Sequence, residues 1–154
     1  MRVLGIDPGS AHVGVAVLEF DDRGAPTWVD AEEVKPDVAT MPWVGEQVIV
    51  YEADLVAVET PVPRAAFALR QLIETARVAE RMLCGADNAG VERMEFTSYE
   101  WRKRLTGASN AKDAVIKFAL EAHMAVPRSN SHKRDAAGVA VIAGWERFFG
   151  RMAA

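Results

Sequence analysis

At 154 residues and 16.8 kDa, the chain has room for one domain with a sizeable core and not for two, since a domain of this size already buries roughly 70% of its unfolded surface. Half of its residues are apolar and about a quarter are charged, which excludes bulk disorder and a fibre. The single cysteine, Cys84, cannot close an internal disulfide, no apolar run approaches the ~20 residues of a membrane helix, and residues 1–7 lack a signal-peptide pattern. These features lead to the expectation of one soluble domain over residues 1–154 in a reducing cytoplasm.

The net charge of −4 is unevenly distributed. Residues 96–134 carry eight Lys or Arg against three Asp or Glu, a local +5 that leaves −9 for the remainder. The overall sign argues against a protein that coats nucleic acid with its whole surface, while the basic district is either a solvated helical face or a local phosphate-binding surface.

Along the chain, residues 2–6 form a short apolar run ending at Asp7, and Pro8, Gly9 and Ser10 turn the chain into residues 12–19, where Val13, Val15 and Val17 alternate with smaller residues. This pattern predicts a hairpin, with a third strand at residues 27–34. Pro36 and Pro42 bound a linker, the spacing of Val44, Val48 and Ile49 suits a short helix over residues 43–51, and the apolar run closing at Glu59 predicts a fourth strand, residues 55–59, in a sheet interior. Apolar residues three or four apart from Ala65 to Leu83 predict a long helix stopped by Gly85. A fifth strand is predicted at residues 92–96, then a brief helix capped by Thr97 or Ser98 and running through Leu105. A helix over residues 111–124 follows, and Ser131 is placed to cap a last helix over residues 132–149. Three strands followed by alternating helices and strands give an α/β architecture: a five-stranded mixed sheet, antiparallel first and then parallel, flanked by helices.

Three places carry chemistry. Asp7 closes an apolar strand where the Pro8–Gly9 turn keeps the space above it open, although Asp before Pro-Gly is also ordinary turn chemistry. Glu59 ends the fourth strand in the same way and would lie beside Asp7 in a parallel neighbour, unless it simply reaches solvent. Two carboxylates at buried strand ends are costly unless paired or bound to a cation. His132 and Asp135 share one face of the first turn of a helix whose next eight residues are all apolar or glycine; each alone is an ordinary helix-start residue, and the pair is more informative. Oxygen and nitrogen donors without thiols suit Mg²⁺ or Mn²⁺ rather than zinc, and phosphoryl transfer follows as the chemistry.

Taken together, Gly5-Ile6-Asp7-Pro8-Gly9-Ser10 with Gly14, then Val56-Ala57-Val58-Glu59, then Trp101 through Leu105-Thr106-Gly107 to Ala111-Lys112, and His132-Lys133-Arg134-Asp135-Ala136-Ala137 resemble, in order and separation, the motifs of RuvC-type Holliday junction resolvases across most of the chain. The resemblance implies an RNase H-like fold, a homodimer, and Mg²⁺-dependent paired nicking of opposed strands in a four-way DNA junction, with Asp7, Glu59, His132 and Asp135 as catalytic and metal-site residues. Many members carry Asp where this chain has His132, which lowers the negative charge offered to the metals by one. His132 is then either a ligand or a base for the attacking water. Lys103 and Lys112 resemble basic residues that the family places near phosphates, and Arg102, Arg104, Lys117, Arg128, Lys133 and Arg134 would follow the DNA backbone. Phe67 is open to two readings, a wedge at the junction centre or packing within its helix. The Ala-rich stripe of the long helix is open to packing on the sheet or to a two-fold interface. A branch-migration motor as partner is not readable from the residues. Two rival functions fit the same residues: an RNase H-like nuclease acting on flaps, forks or hybrids, and a catalytically silent junction binder. A nucleotide-binding domain would need a second lobe. Trp28, Trp43, Trp101 and Trp145 are expected in the core or an interface, Cys84 as a buried small hydrophobe, and His123 as a structural residue inside a helix.

Overall fold

The structure, a computed structural model, describes residues 1–36, 40–63 and 69–152. Its elements run in the order β1 (Arg2–Pro8), β2 (Val13–Phe20), β3 (Pro26–Val34), α1 (Thr40–Tyr51), β4 (Leu55–Thr60), α2 (Leu69–Asn88), β5 (Glu92–Thr97), α3 (Ser98–Thr106), α4 (Asp113–Glu121) and α5 (Ser131–Met152). The strands form one sheet in the order β3-β2-β1-β4-β5, antiparallel between β1, β2 and β3 and parallel between β1, β4 and β5. The expected five-stranded mixed sheet is therefore the one observed.

The period-2 alternation of each strand sorts its residues between two cores. Val3 of β1, Ala16 and Leu18 of β2 and Leu55 and Ala57 of β4 face one side, where α3, α4 and α5 cover them with Trp101, Ile116, Leu120 and the buried run of α5 from Ala136 to Ala143. Leu4, Ile6, Val15, Val17, Val56 and Val58 face the other side, against Val44 and Val48 of α1 and Val78, Met82 and Ala86 of α2. Burying both faces explains why β1 and β4 read as continuous apolar runs.

α5 lies unusually close to the sheet. A Cβ on Gly5 would stand 2.2 Å from the Ala136 carbonyl oxygen, and one on Gly14 would stand 2.2 Å from that of His132. Side chains at these two positions would lift the first turns of α5 off β1 and β2. The glycines thus set the height of the helix that carries His132 and Asp135.

Several local expectations are corrected. Gly85 does not stop α2; it is buried in the contact with α1, and the helix runs on to Asn88, followed by a turn in which Gly90 takes a φ of +70° and the Val91 amide bonds back to Ala86. Residues 64–68, which include Phe67, lie outside the described residues. Ser131 opens α5 rather than capping it: the Asn130 side chain accepts from the Lys133 amide at 3.0 Å, a residue earlier than expected. Cys84 is exposed on α2 rather than buried, and His123 sits in the turn after α4, edge-on to Trp145. Among the described residues no helix is long and apolar enough to cross a membrane.

Candidate metal centre

Parallel pairing of β1 with β4 aligns Ile6 with Val58, so the next residues, Asp7 and Glu59, emerge side by side at the carboxyl ends of the two strands. By alternation Asp7 lies on the face of Val3 and Gly5, and Glu59 on the face of Leu55 and Ala57, so both meet the side covered by α5. The first turn of α5 adds Asp135. One oxygen from each of Asp7, Glu59 and Asp135 lies within 4.8 Å of the other two. All three line a cleft of about 350 Å³, together with the loop from Pro8 to His12, Arg102 and His132.

Each carboxylate has a fixed neighbour. His132 Nδ1 lies 2.7 Å from Asp7 Oδ2, Trp101 Nε1 donates to Glu59 Oε2 at 2.7 Å, and Arg102 Nη2 donates to Asp135 Oδ2 at 2.6 Å. Burial and the nearby Asp7 charge push Glu59 up to about 8, against the opposing pull of the Trp101 bond and the Arg102 charge. The same burial and the same Asp7 charge push Asp135 up to about 6. The hydrogen bond to Asp7 raises His132 above the ordinary imidazole value.

The donor set fits a divalent cation. Asp135 Oδ1 is buried without a hydrogen-bond partner among the described residues, and Arg102 occupies only the other oxygen. An all-carboxylate cluster holding one unsatisfied oxygen, with imidazole at its edge and no thiol, is suited to a hard ion such as Mg²⁺ or Mn²⁺. Without a cation, the raised values of Glu59 and Asp135 mean that the cluster retains protons instead of accumulating charge.

The structure brings all four expected site residues to one cleft, with His132 bonded to Asp7 and outside the three-carboxylate group. The basic district divides in two. Arg102 is turned inward onto Asp135, Arg104 pairs with Glu146, Lys117 with Glu121, and Arg134 makes a two-point contact with Asp113. Lys103, Lys112, Arg128 and Lys133 make no ion pair among the described residues. Sequence reasoning missed the part played by Trp101, expected only as packing: its ring is fully buried, yet its N–H reaches Glu59. The available signal was its place on a capped helix directly after β5, the neighbour of β4.

A five-stranded mixed sheet of this order, with acidic side chains gathered at the ends of its first and fourth strands and a helix closing over them, is the RNase H-like architecture with a cation-ready centre. No protein-family model matches the chain. The crossover junction endodeoxyribonuclease RuvC of Gloeobacter violaceus is 29% identical over 160 aligned positions, covering 94% of this chain and 88% of that protein. Its namesake from Desulforamulus reducens is 28% identical over 165 positions, covering 97% and 98%. The Thermus thermophilus RuvC structure in complex with a Holliday junction substrate superposes with a TM-score of 0.79 at 22% identity, covering 99% of this chain and 96% of that one. In sequence the chain is thus similar to RuvC-type Holliday junction resolvases over nearly its whole length, and in fold it matches the RNase H-like architecture of their solved structures.

Proposed function

We propose that the protein is a divalent-metal-dependent endonuclease that resolves four-way DNA junctions, acting as a homodimer and nicking two opposed strands symmetrically to leave 5′-phosphate and 3′-hydroxyl ends. The observation that carries this reading is the convergence of Asp7, Glu59 and Asp135 oxygens within 4.8 Å in an open cleft, one of them buried and unsatisfied. Asp7, Glu59 and Asp135 would hold Mg²⁺, with Mn²⁺ as a substitute, and Asp7 is central because both Glu59 and Asp135 feel its charge. When bound there, divalent ions supply electrostatic stabilisation to the attacking and departing oxygens of a phosphodiester. Trp101 and Arg102 hold Glu59 and Asp135 in place before substrate arrives.

Because Asp7 takes His132 Nδ1, the remaining ring nitrogen, Nε2, is the atom left to accept a proton from water or to ligate. Asp7 then acts as the group that orients the imidazole. Lys103, Lys112, Arg128 and Lys133, which make no ion pair among the described residues although the Lys133 charge is felt by Glu32, contact phosphates of the arms, whereas Arg102, Arg104, Lys117 and Arg134 serve first to fix the protein's own elements. Paired cuts require two centres related by a two-fold axis. Exposed Leu69 and Ile73 at the start of α2 support that helix as part of the dimer surface.

The test is to incubate the purified protein with a synthetic four-way junction with and without Mg²⁺ and to map nicks on all four strands, with a flap, a fork and an RNA–DNA hybrid alongside. Paired nicks on opposite strands that need Mg²⁺ support the reading. Preference for the flap, fork or hybrid moves the protein to another nuclease class, and junction binding without any Mg²⁺-dependent nicking makes it a silent binder.

A further inference from the structure

The edge strand β3 is far from the acidic cluster in sheet order, yet one of its residues is bound to the elements that carry the cluster. Register aligns Asp7 of β1 with Gly14 of β2, and Gly14 with Glu33 of β3, so these three residues form one row across the sheet on the face covered by α5. The first turn of α5 sits over the glycine in the middle of the row, where no side chain could fit beneath the His132 carbonyl. It is fastened on both sides. On one side His132 meets Asp7 at 2.7 Å, and on the other Asn130 Nδ2 donates to Glu33 Oε2 at 2.6 Å. Asn130 is also the residue that caps the helix, its Oδ1 accepting from the Lys133 amide and its carbonyl accepting from the Arg134 amide. The second oxygen of Glu33, Oε1, lies 3.1 Å from His12 Nδ1 in the loop that forms the lip of the cleft, and the His12 ring stacks toward His132 with centroids 6.2 Å apart.

We infer that Glu33 is a positioning residue for the catalytic centre: one carboxylate ties the capping Asn130 and the lip residue His12 to the sheet, and so sets the place of the turn that holds His132 over Gly14 and Asp135 beside Asp7 and Glu59. Asp7 and Glu33 act as inner and outer tethers of the same helical turn. Without the outer tether the turn keeps its bonds through His132, Asp135 and Arg134 but loses its tie to β3 and to the lip of the cleft, and a shift of its β3 side would move His132 and Asp135 with it. Small misplacements of catalytic groups are costly, with ~1 Å displacements lowering rates by as much as about 10²-fold.

The inference rests on the proposed nuclease function for its kinetic test, and the variants are chosen to separate the tether from a simple helix cap. Asp caps helices as well as Asn does, so Asn130→Asp keeps the cap while setting two carboxylates against each other. Glu33→Ala removes both bonds, and Glu33→Gln keeps an acceptor for Asn130 and a donor for His12. In the double variant E33Q/N130D, the amide introduced at position 33 donates to the carboxylate introduced at position 130, and the tie is restored with its polarity reversed. Single-turnover nicking of a saturating four-way junction should fall about tenfold in E33A and in N130D, with junction affinity unchanged, and should recover to about the wild-type rate in E33Q and in E33Q/N130D. Calorimetric affinity for Mn²⁺ alone should follow the same order, and amide exchange at Lys133 should stay protected in N130D. An N130D protein as fast and as Mn²⁺-avid as wild type, or a double variant no better than N130D, would overturn the inference. A wild-type protein that nicks nothing would sink the nuclease reading instead, leaving Mn²⁺ affinity and exchange to decide the role of Glu33.

Discussion

Replacing Glu59 with Gln should make the metal-free protein more stable at alkaline pH and leave it unchanged at acid pH. In the folded chain burial and the Asp7 charge raise Glu59 from 4.5 to about 8. Between those values the native state therefore holds a proton that the unfolded chain has released. Linkage then requires native stability to fall as pH rises through this window, in the opposite sense to an ordinary salt-bridged carboxylate. At 1.36 kcal/mol per pH unit the full displacement corresponds to about 5 kcal/mol. That figure is a ceiling, because part of it comes from the Asp7 charge that also acts on Asp135. For a chain of this size each kcal/mol moves the melting temperature by roughly 2–4 °C, so a difference on the order of 10 °C is expected. Gln is the neutral counterpart of the protonated acid and can still accept from Trp101. Scanning calorimetry in a chelating buffer should give coincident melting for wild type and E59Q at pH 5 and a gap, with E59Q higher, that widens to pH 8. Saturating Mn²⁺ should close the gap from the wild-type side by binding the ionised cluster. Parallel melting curves for the two proteins from pH 5 to pH 8 would refute the claim that Glu59 is buried against Asp7.

Trp101→Phe keeps a ring in the core but deletes the donor to Glu59, and should lower stability by about 1–3 kcal/mol, with weaker Mn²⁺ binding measured by calorimetry and a Glu59 titration moved to still higher pH. Unchanged Mn²⁺ affinity in that variant would show that the indole serves packing alone. Gly14→Ala places a methyl 2.2 Å from the His132 carbonyl and 2.8 Å from its Cβ, so thermal melting should drop by the equivalent of about 1–3 kcal/mol and nicking should fall further than stability does. A G14A protein with full activity would mean that α5 does not need its present height. If Lys103, Lys112, Arg128 and Lys133 are the phosphate contacts, log K for junction binding should fall against log salt with a slope of about −3.6 per protomer, and K103A or K112A should each reduce its magnitude by about 0.9. K117A and R104A, whose charges already face Glu121 and Glu146, should move the slope less; equal effects from all four would contradict the division of the basic district.

The residues legible in the sequence are those whose immediate neighbours betray their place. A carboxylate that ends a wholly apolar run has to emerge at a strand end, so Asp7 and Glu59 can be placed by alternation and burial alone. His132 and Asp135 are visible because helical spacing puts them on one face just ahead of a buried stretch. The strands follow for the same reason, each being an apolar run between turn residues. What the sequence hides depends on partners distant along the chain. The inward turn of Arg102 is decided by Asp135, 33 residues later, and a basic residue in a basic district carries no mark of which way it points. Gly85 reads as a stop because glycine ends many helices, but the close approach of α1 gives it a packing use instead. Asn130 and Ser131 are both residue types that cap helices, and the one that does so here, Asn130, is also bonded to Glu33, 97 residues earlier, a contact that local sequence does not reveal.

The same long-range contacts explain how three carboxylates can stand so close in a folded chain. Two adjacent residues of α3 engage two different members of the cluster, Trp101 through a neutral donor and Arg102 through a charged one. A neutral donor orients Glu59 without cancelling its charge, whereas the guanidinium offsets the charge of Asp135 at only one of its two oxygens. Full neutralisation by arginines would leave a stable ion-pair network with nothing left for a cation, and no neutralisation would force the helix and strands apart. One guanidinium for three acids, supplemented near neutral pH by the proton on Glu59, holds the geometry together while keeping a net attraction for a divalent ion. It follows that cation uptake must release protons, so affinity for Mn²⁺ should climb as pH rises from 6 to 8, and Arg102→Met, which removes the guanidinium, should steepen that dependence.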